Sequence, residues 1–458
     1  MDLLLRQSGP TLIGNRIQAV VLVSTYGFLY LNQVLFVLFL SQNGVTDLHK
    51  NRKLTLISKN ETLGILDKPF LTFEFLHYNF ITKNALLIVF FTYSVGNGIG
   101  YLFSALLSQN LSPRKGLIIF TFVHVITSFI SAVCPIFWAY NGFRFFSGFL
   151  SGAASHCLLC ILVDWSYPKF NAVTGHHVNV GKVLAFLLSS LVILVNLGVP
   201  WRITLLGQGI LTFIGFVATM IWVHQSPRWL KERNEFKLLM EEGKQFAMRI
   251  KYDGRPLLEQ DYNANEPSYH LEHITPGLER VCLVLAYGFS SSGELLVQSN
   301  FKVSSFDFKY CLLMLAGLYL ISYLLSIPSR RVPRFGVSSA AVFGSIITFL
   351  IILIKKKPLA TLILTIFKNG LAITANQLMF MTLLNSSTPF DDPTNAQLVH
   401  SRIKLVVLAD FAAGMVFRPA ACPSLFMGAT TTHRDKNERF YELYEIVGRG
   451  FEYGGTTP

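Results

Sequence analysis

Charged side chains occur inside apolar stretches of the chain, where charge is rare. Asp410 and Arg418 lie eight residues apart in one stretch near the C-terminus, and Lys368 lies inside the stretch before it. Glu294 follows a polar run in an earlier stretch. An ionised group in hydrocarbon is costly, so such residues usually face a cavity or pair with one another. The pattern predicts either a binding site for an ionic solute or buried pairs, Lys368 with Asp410 or Asp410 with Arg418, that only neutralise charge.

The sign of such a solute is left open by these residues. Asp410 would favour a cation, whereas Lys368 and Arg418 would favour an anion. Glu294 is equally consistent with a polar cavity lining and with a cap at a helix end. The residues alone therefore predict an ionic solute without fixing its charge.

Some aromatic residues and one lysine in the apolar stretches could also contribute to a site or to packing. Tyr287, Tyr319 and Phe380 either offer their ring faces to a cationic solute or pack within the membrane core. Lys182 lies near the end of a predicted helix, and we expect its long side chain to reach the membrane surface.

No pattern of residues indicates catalysis, a metal or a cofactor. Cys157 and Cys160 form a C-x-x-C pair, but this spacing on a membrane helix is more typical of packing than of metal or redox chemistry. His176 and His177 are adjacent, so their rings cannot point the same way on a helix. No G-x-x-x-x-G-K-[ST] loop occurs, so ATP is not expected to drive the protein. We predict neither an enzyme nor a bound cofactor.

The composition limits the class of protein. Of 458 residues, 52% are apolar and 14% are charged, and the mean hydropathy is +0.46. Soluble proteins carry about a quarter charged residues. The composition excludes a soluble enzyme, a disordered chain and a secreted disulfide scaffold. The net charge of +13 comes from dispersed residues, so no nucleic-acid partner is expected.

The apolar stretches predict an all-helical, polytopic membrane protein. About eleven of them approach the roughly 20 residues that cross a bilayer as a helix. They cover approximately 17–40, 85–107, 116–138, 142–163, 180–200, 203–224, 281–299, 309–328, 337–354, 358–384 and 403–428. A membrane receptor with seven spans does not fit this number.

The spacing of the stretches predicts four regions. Six spans occupy residues 1–224, a polar linker with an amphipathic helix occupies 225–280, five spans occupy 281–428, and a polar tail occupies 429–458. Two helical bundles joined by the linker explain this layout, with the final helix of the second bundle missing. We expect the amphipathic helix to lie on the cytoplasmic face of the bundle or the bilayer.

Basic residues predict the orientation. More of the Lys and Arg residues lie on the cytoplasmic side when the N-terminus is inside the cell. The sequon at Asn60 then falls in the first outside loop, where a glycan can be attached.

Two short motifs lie at the ends of predicted helices. Arg144, Gly148 and Gly152 form an R-x-x-x-G-x-x-x-G pattern whose glycines share one helix face. This spacing indicates either close helix packing alone or an arginine held inside the bundle. The second motif is S-P-R-W-L after the sixth span, and it contains Ser226, Pro227, Arg228 and Trp229.

These motifs resemble the major facilitator superfamily, and specifically its organic cation and anion transporter branch. The resemblance extends to about residue 428 and includes the segments 14–18 (G-N-R-I-Q), 164–165 (D-W), 201–202 (W-R) and 287–290 (Y-G-F-S). It implies two bundles around a central cavity and alternating access. It also implies that an aspartate near Asp410 contacts the substrate in organic cation transporters, where organic anion transporters carry a basic residue.

The chain departs from the family pattern at its gating loops. The family carries an acidic and a basic residue between helices two and three, but residues 108–115 (S-Q-N-L-S-P-R-K) lack the acid. The equivalent segment 330–336 (R-R-V-P-R-F-G) also lacks one. We therefore expect the outward-open state to be held less firmly than in the family.

The resemblance and the buried charges together predict a transporter of small organic ions. A cation is slightly favoured, transport is facilitative or by exchange, and the protein lies in the lipid bilayer, most simply that of the plasma membrane. The alternative is a non-transporting or truncated relative that acts as an interaction partner or is an inactive product.

Overall fold

The structure is a computed structural model that describes eleven segments of the chain. The described residues are 16–39, 78–108, 110–134, 137–166, 171–195, 201–249, 281–291, 308–329, 333–353, 358–386 and 404–417. Within these ranges the chain is helical apart from short turns and contains no β-strand. The prediction of an all-helical fold is confirmed.

The described residues of the first half of the chain form six long helices, which we call the N-terminal helices. They are α1 Arg16–Phe39, α2 Tyr78–Leu107, α3 Pro113–Val133, α4 Phe137–Asp164, α5 Asn171–Val195 and α6 Trp201–Trp222. Two shorter helices follow, α7 Pro227–Glu232 and α8 Phe236–Arg249.

The second half contributes the C-terminal helices. They are α9 Val281–Ser291, α10 Phe308–Ser329, α11 Pro333–Leu353, α12 Pro358–Ser386 and α13 Lys404–Ala412, which continues as a π-helical turn at Ala413–Phe417. Each predicted span overlaps one of the described helices. The predicted domain boundaries remain a prediction, and the tail 429–458 and Asn60 lie outside the described residues.

Length and composition alone identify some of these helices as membrane spans. Among the helical residues whose side chains the structure describes, Pro113–Val133, Ala139–Asp164 and Leu205–Trp222 are long and apolar enough to cross a membrane. Shorter apolar segments lie in α5, α9, α10, α11 and α13.

Glycines allow α2 and α4 to pack with their backbones in contact. A Cβ atom on Gly148 would overlap the carbonyl oxygen of Tyr93, and one on Gly152 would overlap that of Asn97. Gly100 makes the reciprocal approach, because its Cβ would overlap the carbonyl oxygen of Phe149. Helices in a membrane associate through such close packing, since lipid supplies no hydrophobic driving force between them.

The S-P-R-W-L motif attaches α7 to the ends of the N-terminal helices. The Ser226 hydroxyl accepts a hydrogen bond from the Trp229 amide and donates one to the Asp164 carboxylate, while Pro227 occupies the first turn. The Trp229 indole donates to the carbonyl of Ser108 at the end of α2 (3.3 Å). The motif therefore caps a helix and joins α2, α4 and α7.

The amphipathic helix predicted in the linker corresponds to α8. Phe246 on its apolar face packs against Trp165, with ring centroids 4.7 Å apart. Glu242 lies 2.8 Å from the imidazole Nδ1 of His224, just after α6. These contacts fix α8 against the ends of α4 and α6.

The loop between α2 and α3 lacks the acid of the family pattern and makes other contacts. Ser112 caps α3 by accepting a hydrogen bond from the amide of Lys115. The Arg114 guanidinium donates to the carbonyl of Met220 in the last turn of α6 (3.1 Å). A cation at the C-terminal end of a helix also complements the helix dipole.

Candidate functional site

A buried carboxylate lies where α9 and α13 meet. The side chain of Asp410 is only 3% exposed, and its Oδ1 accepts a hydrogen bond from the hydroxyl of Tyr287 (3.0 Å). Tyr287 is itself buried, and its ring lies 6.4 Å from that of Phe380 on α12. The structure thus brings together two predicted site residues, Tyr287 and Asp410, with a predicted aromatic neighbour.

Polar groups continue from this carboxylate along the contact of α9 with α12. The Ser290 hydroxyl donates to the side-chain amide oxygen of Asn376 (3.1 Å). Asn376 is 1% exposed. The surface shared by α9, α12 and α13 is therefore polar at successive turns, which is unusual inside an apolar helical protein.

Asp410 lies on the helix that contacts the N-terminal helices through α2. A Cβ atom on Gly414 would lie 2.8 Å from the Cα of Gly98, and one on Gly98 would lie 3.4 Å from the carbonyl oxygen of Asp410. The π-helical turn begins at Ala413, directly beside this contact. Such turns occur frequently at functional sites.

An aromatic cluster forms a second contact between the two halves of the chain. The ring of Phe186 on α5 stacks on that of Tyr319 on α10, with centroids 3.9 Å apart. Tyr30 on α1 contacts Phe186 edge-on at 6.2 Å. The ammonium of Lys182 lies 5.3 Å above the Tyr30 ring.

The expectation that Lys182 reaches the membrane surface was wrong. Lys182 is only 9% exposed and lies within α5. Its side chain stays in the interior because its ammonium group makes a cation–π contact with the ring of Tyr30. The predicted start of this helix, at about residue 180, was too late, because α5 begins at Asn171.

Arg144 lies inside the N-terminal helices, in a polar network. It is 1% exposed, its guanidinium donates to the Asn32 side chain, and it lies 4.7 Å from the centroid of the Tyr93 ring. Asn32 also donates to Ser147 (2.8 Å) and lies 3.2 Å from His124 Nε2. The R-x-x-x-G-x-x-x-G pattern therefore combines close packing with a buried arginine.

Asn32 and His124 were not among the predicted site residues. Both are polar residues inside apolar stretches, which is a signal the sequence does offer. Their contacts with Arg144 and with each other could not be predicted from the sequence, because the residues lie on three helices, α1, α3 and α4.

The remaining predicted residues are less close to Asp410 or are not described. Lys368 is half-buried on α12, and Phe380 lies twelve residues further along the same helix, which is a rise of about 18 Å. Glu294 and Arg418 lie outside the described residues, so their roles stay predictions.

The described side chains at these contacts provide groups that can bind a solute. Among the described residues, no three His, Cys, Asp or Glu side chains are placed to hold a metal ion. A carboxylate, hydroxyls, amides and aromatic rings at the contacts between helices can recognise a charged organic molecule. Fold and site together define a multi-pass helical membrane protein with a polar interior.

Comparisons with known proteins identify the family. The profile of the Major Facilitator Superfamily matches residues 22–397. The proton:xylose symporter XylE of E. coli, in its complex with 6-bromo-6-deoxy-D-glucose, has a similar fold, with a TM-score of 0.59, 14% identity and 94% coverage of both chains. The human organic anion transporter MFSD10 (TETRAN) aligns with a TM-score of 0.53 and 13% identity over 96% of this chain and 99% of that one.

A plant relative is similar in sequence over a shorter part. Organic cation/carnitine transporter 2 of Arabidopsis thaliana is 29% identical over 131 residues, which are 29% of this chain and 25% of that protein. The match thus spans about a quarter of the relative's length. The chain belongs to the Major Facilitator Superfamily, which is a family of multi-pass membrane transporters.

Proposed function

We propose that the protein transports small organic cations by alternating access, through facilitated diffusion or exchange. The plasma membrane is the proposed location. The single observation that carries the proposal is the buried Asp410 carboxylate, which is hydrogen-bonded to Tyr287, whose ring neighbours that of Phe380. A carboxylate next to aromatic rings attracts a cation by its charge and through the negative faces of the rings.

The position of the carboxylate supports a transport role over a purely structural one. A buried charge costs free energy unless it is compensated, and a transporter gains selectivity from the same group when the substrate arrives. Asp410 lies on α13 beside its contact with α2, so a movement of these helices would change its exposure. The name of the plant relative, an organic cation/carnitine transporter, agrees with a cationic substrate.

An organic anion is the second candidate substrate, and Lys182 favours it. Its buried ammonium lies in the aromatic cluster between α1, α5 and α10. The structural likeness to MFSD10, an organic anion transporter, reflects fold alone at 13% identity. We favour the cation because the Asp410 carboxylate is buried against Tyr287 on α9, whereas the ammonium of Lys182 already lies over the ring of Tyr30.

Uptake assays with one organic cation and one organic anion test the proposal. In cells that express the chain, we expect uptake of radiolabelled tetraethylammonium to rise several-fold above that of control cells, and uptake of p-aminohippurate to stay at the control level. Surface biotinylation in the same cells reports delivery to the plasma membrane.

The outcomes separate the candidates. Anion uptake without cation uptake would transfer the assignment to Lys182. A protein that reaches the surface and moves neither compound would contradict the proposal and favour a non-transporting relative.

A further inference from the structure

A buried glutamine on α12 has no hydrogen-bond partner for its side chain. Gln377 is 0% exposed, and in the described part of the chain neither its Nε2 nor its Oε1 is hydrogen-bonded. Buried amides are nearly always bonded, because leaving one unpaired costs free energy comparable to a lost hydrogen bond. This side chain therefore requires an explanation beyond packing.

Gln377 lies on the face of α12 that meets α5. Leu384 and Met381 on this face lie against Gly175 of α5, where a Cβ would be 2.5 Å from Leu384 Cδ1 and 3.5 Å from Met381 Cγ. Positions 377, 381 and 384 share one helix face, since residues four and seven apart lie on the same side. Gln377 therefore faces the N-terminal helices.

A second unpaired amide lies at the same level on α5. Asn179 is 1% exposed, and its Nδ2 has no hydrogen-bond partner among the described residues. It lies four residues after Gly175, whereas Gln377 lies seven residues before Leu384 and four before Met381. Further along α5, Val183 and Phe186 share a core cluster with Ile373 of α12, so the two helices run in opposite directions. Four residues forward from Gly175 and four residues back from Met381 therefore bring Asn179 and Gln377 to the same level of the contact.

The amide pair lies close to the proposed cation site. Phe380, which neighbours Tyr287, is three residues from Gln377, a rise of about 4.5 Å along α12. Asn179 and Gln377 offer two N–H donor groups and one carbonyl acceptor. A hydroxyl group both donates and accepts, so it matches this set, whereas a methyl group of similar size would leave the amides unpaired.

We propose that Asn179 and Gln377 form a subsite that binds a hydroxyl group of the substrate, one amide from each half of the chain. The substrate is then a hydroxylated organic cation whose charge meets Asp410. This inference rests on the proposed function and adds the uncharged part of the substrate. Rejection of an analogue without the hydroxyl follows, because the analogue leaves buried amides unsatisfied.

Choline and its isostere propyltrimethylammonium, in which a methyl group replaces the hydroxyl, provide the test. We expect full-length protein in cells to take up choline at least about tenfold more efficiently than the isostere, the effect of one well-formed hydrogen bond set. The Gln377→Met variant should lose this preference, so that its ratio of choline uptake to propyltrimethylammonium uptake falls toward one, because Met conserves the volume without the amide.

A matched control uses the same substitution at a glutamine whose amide nitrogen is hydrogen-bonded and whose Oε1 alone has no partner among the described residues. Gln208 on α6 is equally buried, but its Nε2 donates to Thr212 Oγ1 (2.9 Å). Gln208→Met should lower the melting temperature and leave the choline preference intact. Gln377→Met should not lower the melting temperature, because it removes an amide without protein partners.

The results distinguish this inference from the proposed function. Uptake of both cations at equal efficiency by the wild type, or an unchanged preference in Gln377→Met, would overturn the subsite and leave the cation assignment standing. Absence of any saturable cation uptake or binding by the purified protein would overturn both.

Discussion

Replacing Asp410 by Asn is expected to lower the efficiency of cation uptake sharply while the amount of protein at the cell surface stays the same. The substitution keeps the shape of the side chain and an acceptor for the Tyr287 hydroxyl, but it removes the negative charge. A hydrogen bond or ion contact to a charged group contributes about 1.5–3 kcal/mol, so uptake efficiency should fall about 10-fold to 100-fold. Initial rates of tetraethylammonium uptake, normalised to surface protein, measure the effect.

Two further variants control this result. Asp410→Glu retains the charge and should keep part of the uptake, although the longer side chain disturbs the contact with Tyr287. Tyr287→Phe removes one hydrogen bond and keeps the ring, so it should reduce uptake less than Asp410→Asn does. Unchanged uptake by Asp410→Asn at equal surface level would show that the carboxylate serves only packing.

The second large effect is expected at the contact of α2 with α4. Gly152→Ala places a methyl group where the carbonyl oxygen of Asn97 lies, and both helix backbones would have to move apart. Overpacking of this kind costs about 1–3 kcal/mol and occasionally more. We expect a lower melting temperature of the detergent-purified protein and less protein at the cell surface.

Gly142 provides a matched control on the same helix. A Cβ atom there would have no neighbour within 4 Å, and the residue is exposed. Gly142→Ala should leave stability unchanged or raise it by up to about 1 kcal/mol through helix propensity. Equal effects of the two substitutions would contradict the assignment of Gly152 to a close helix contact.

The helices themselves could be predicted from hydropathy, because each must satisfy its backbone hydrogen bonds within one apolar segment of bilayer length. The boundaries were less accurate. For α5, polar residues such as Asn179 and His177 in the first turns lower the hydropathy, so the predicted start at about 180 differs from Asn171. Hydropathy alone cannot locate the polar ends of a helix.

The candidate site could be predicted only as a set of unusual residues. Asp410 stands out because a carboxylate is rare in an apolar segment, and Tyr287 followed from a resemblance in motif. Their mutual hydrogen bond joins residues that are 123 positions apart, which no local pattern encodes. The orientation of Gln377 toward α5 likewise depends on how helices that are distant in the sequence pack together.

Lys182 illustrates the same limit. A lysine near a presumed helix end is usually expected to extend to the membrane surface. Its ammonium lies over the ring of Tyr30, which comes from a different helix. Cation–π contacts of this kind are set by tertiary structure and leave no spacing pattern in the sequence.

The central claim is that the N-terminal and C-terminal helices separate during transport and so expose the buried carboxylate. Phe186 and Tyr319 are in contact across these two groups of helices. The measurement is cation uptake by a Phe186→Cys/Tyr319→Cys double variant treated with a short bifunctional thiol reagent that a reductant cleaves. Each single variant, treated identically, controls for reaction of the native cysteines.

If the two groups of helices must separate, the cross-link should stop uptake and the reductant should restore it, with the single variants unaffected. Normal uptake by protein shown to be cross-linked would contradict the account.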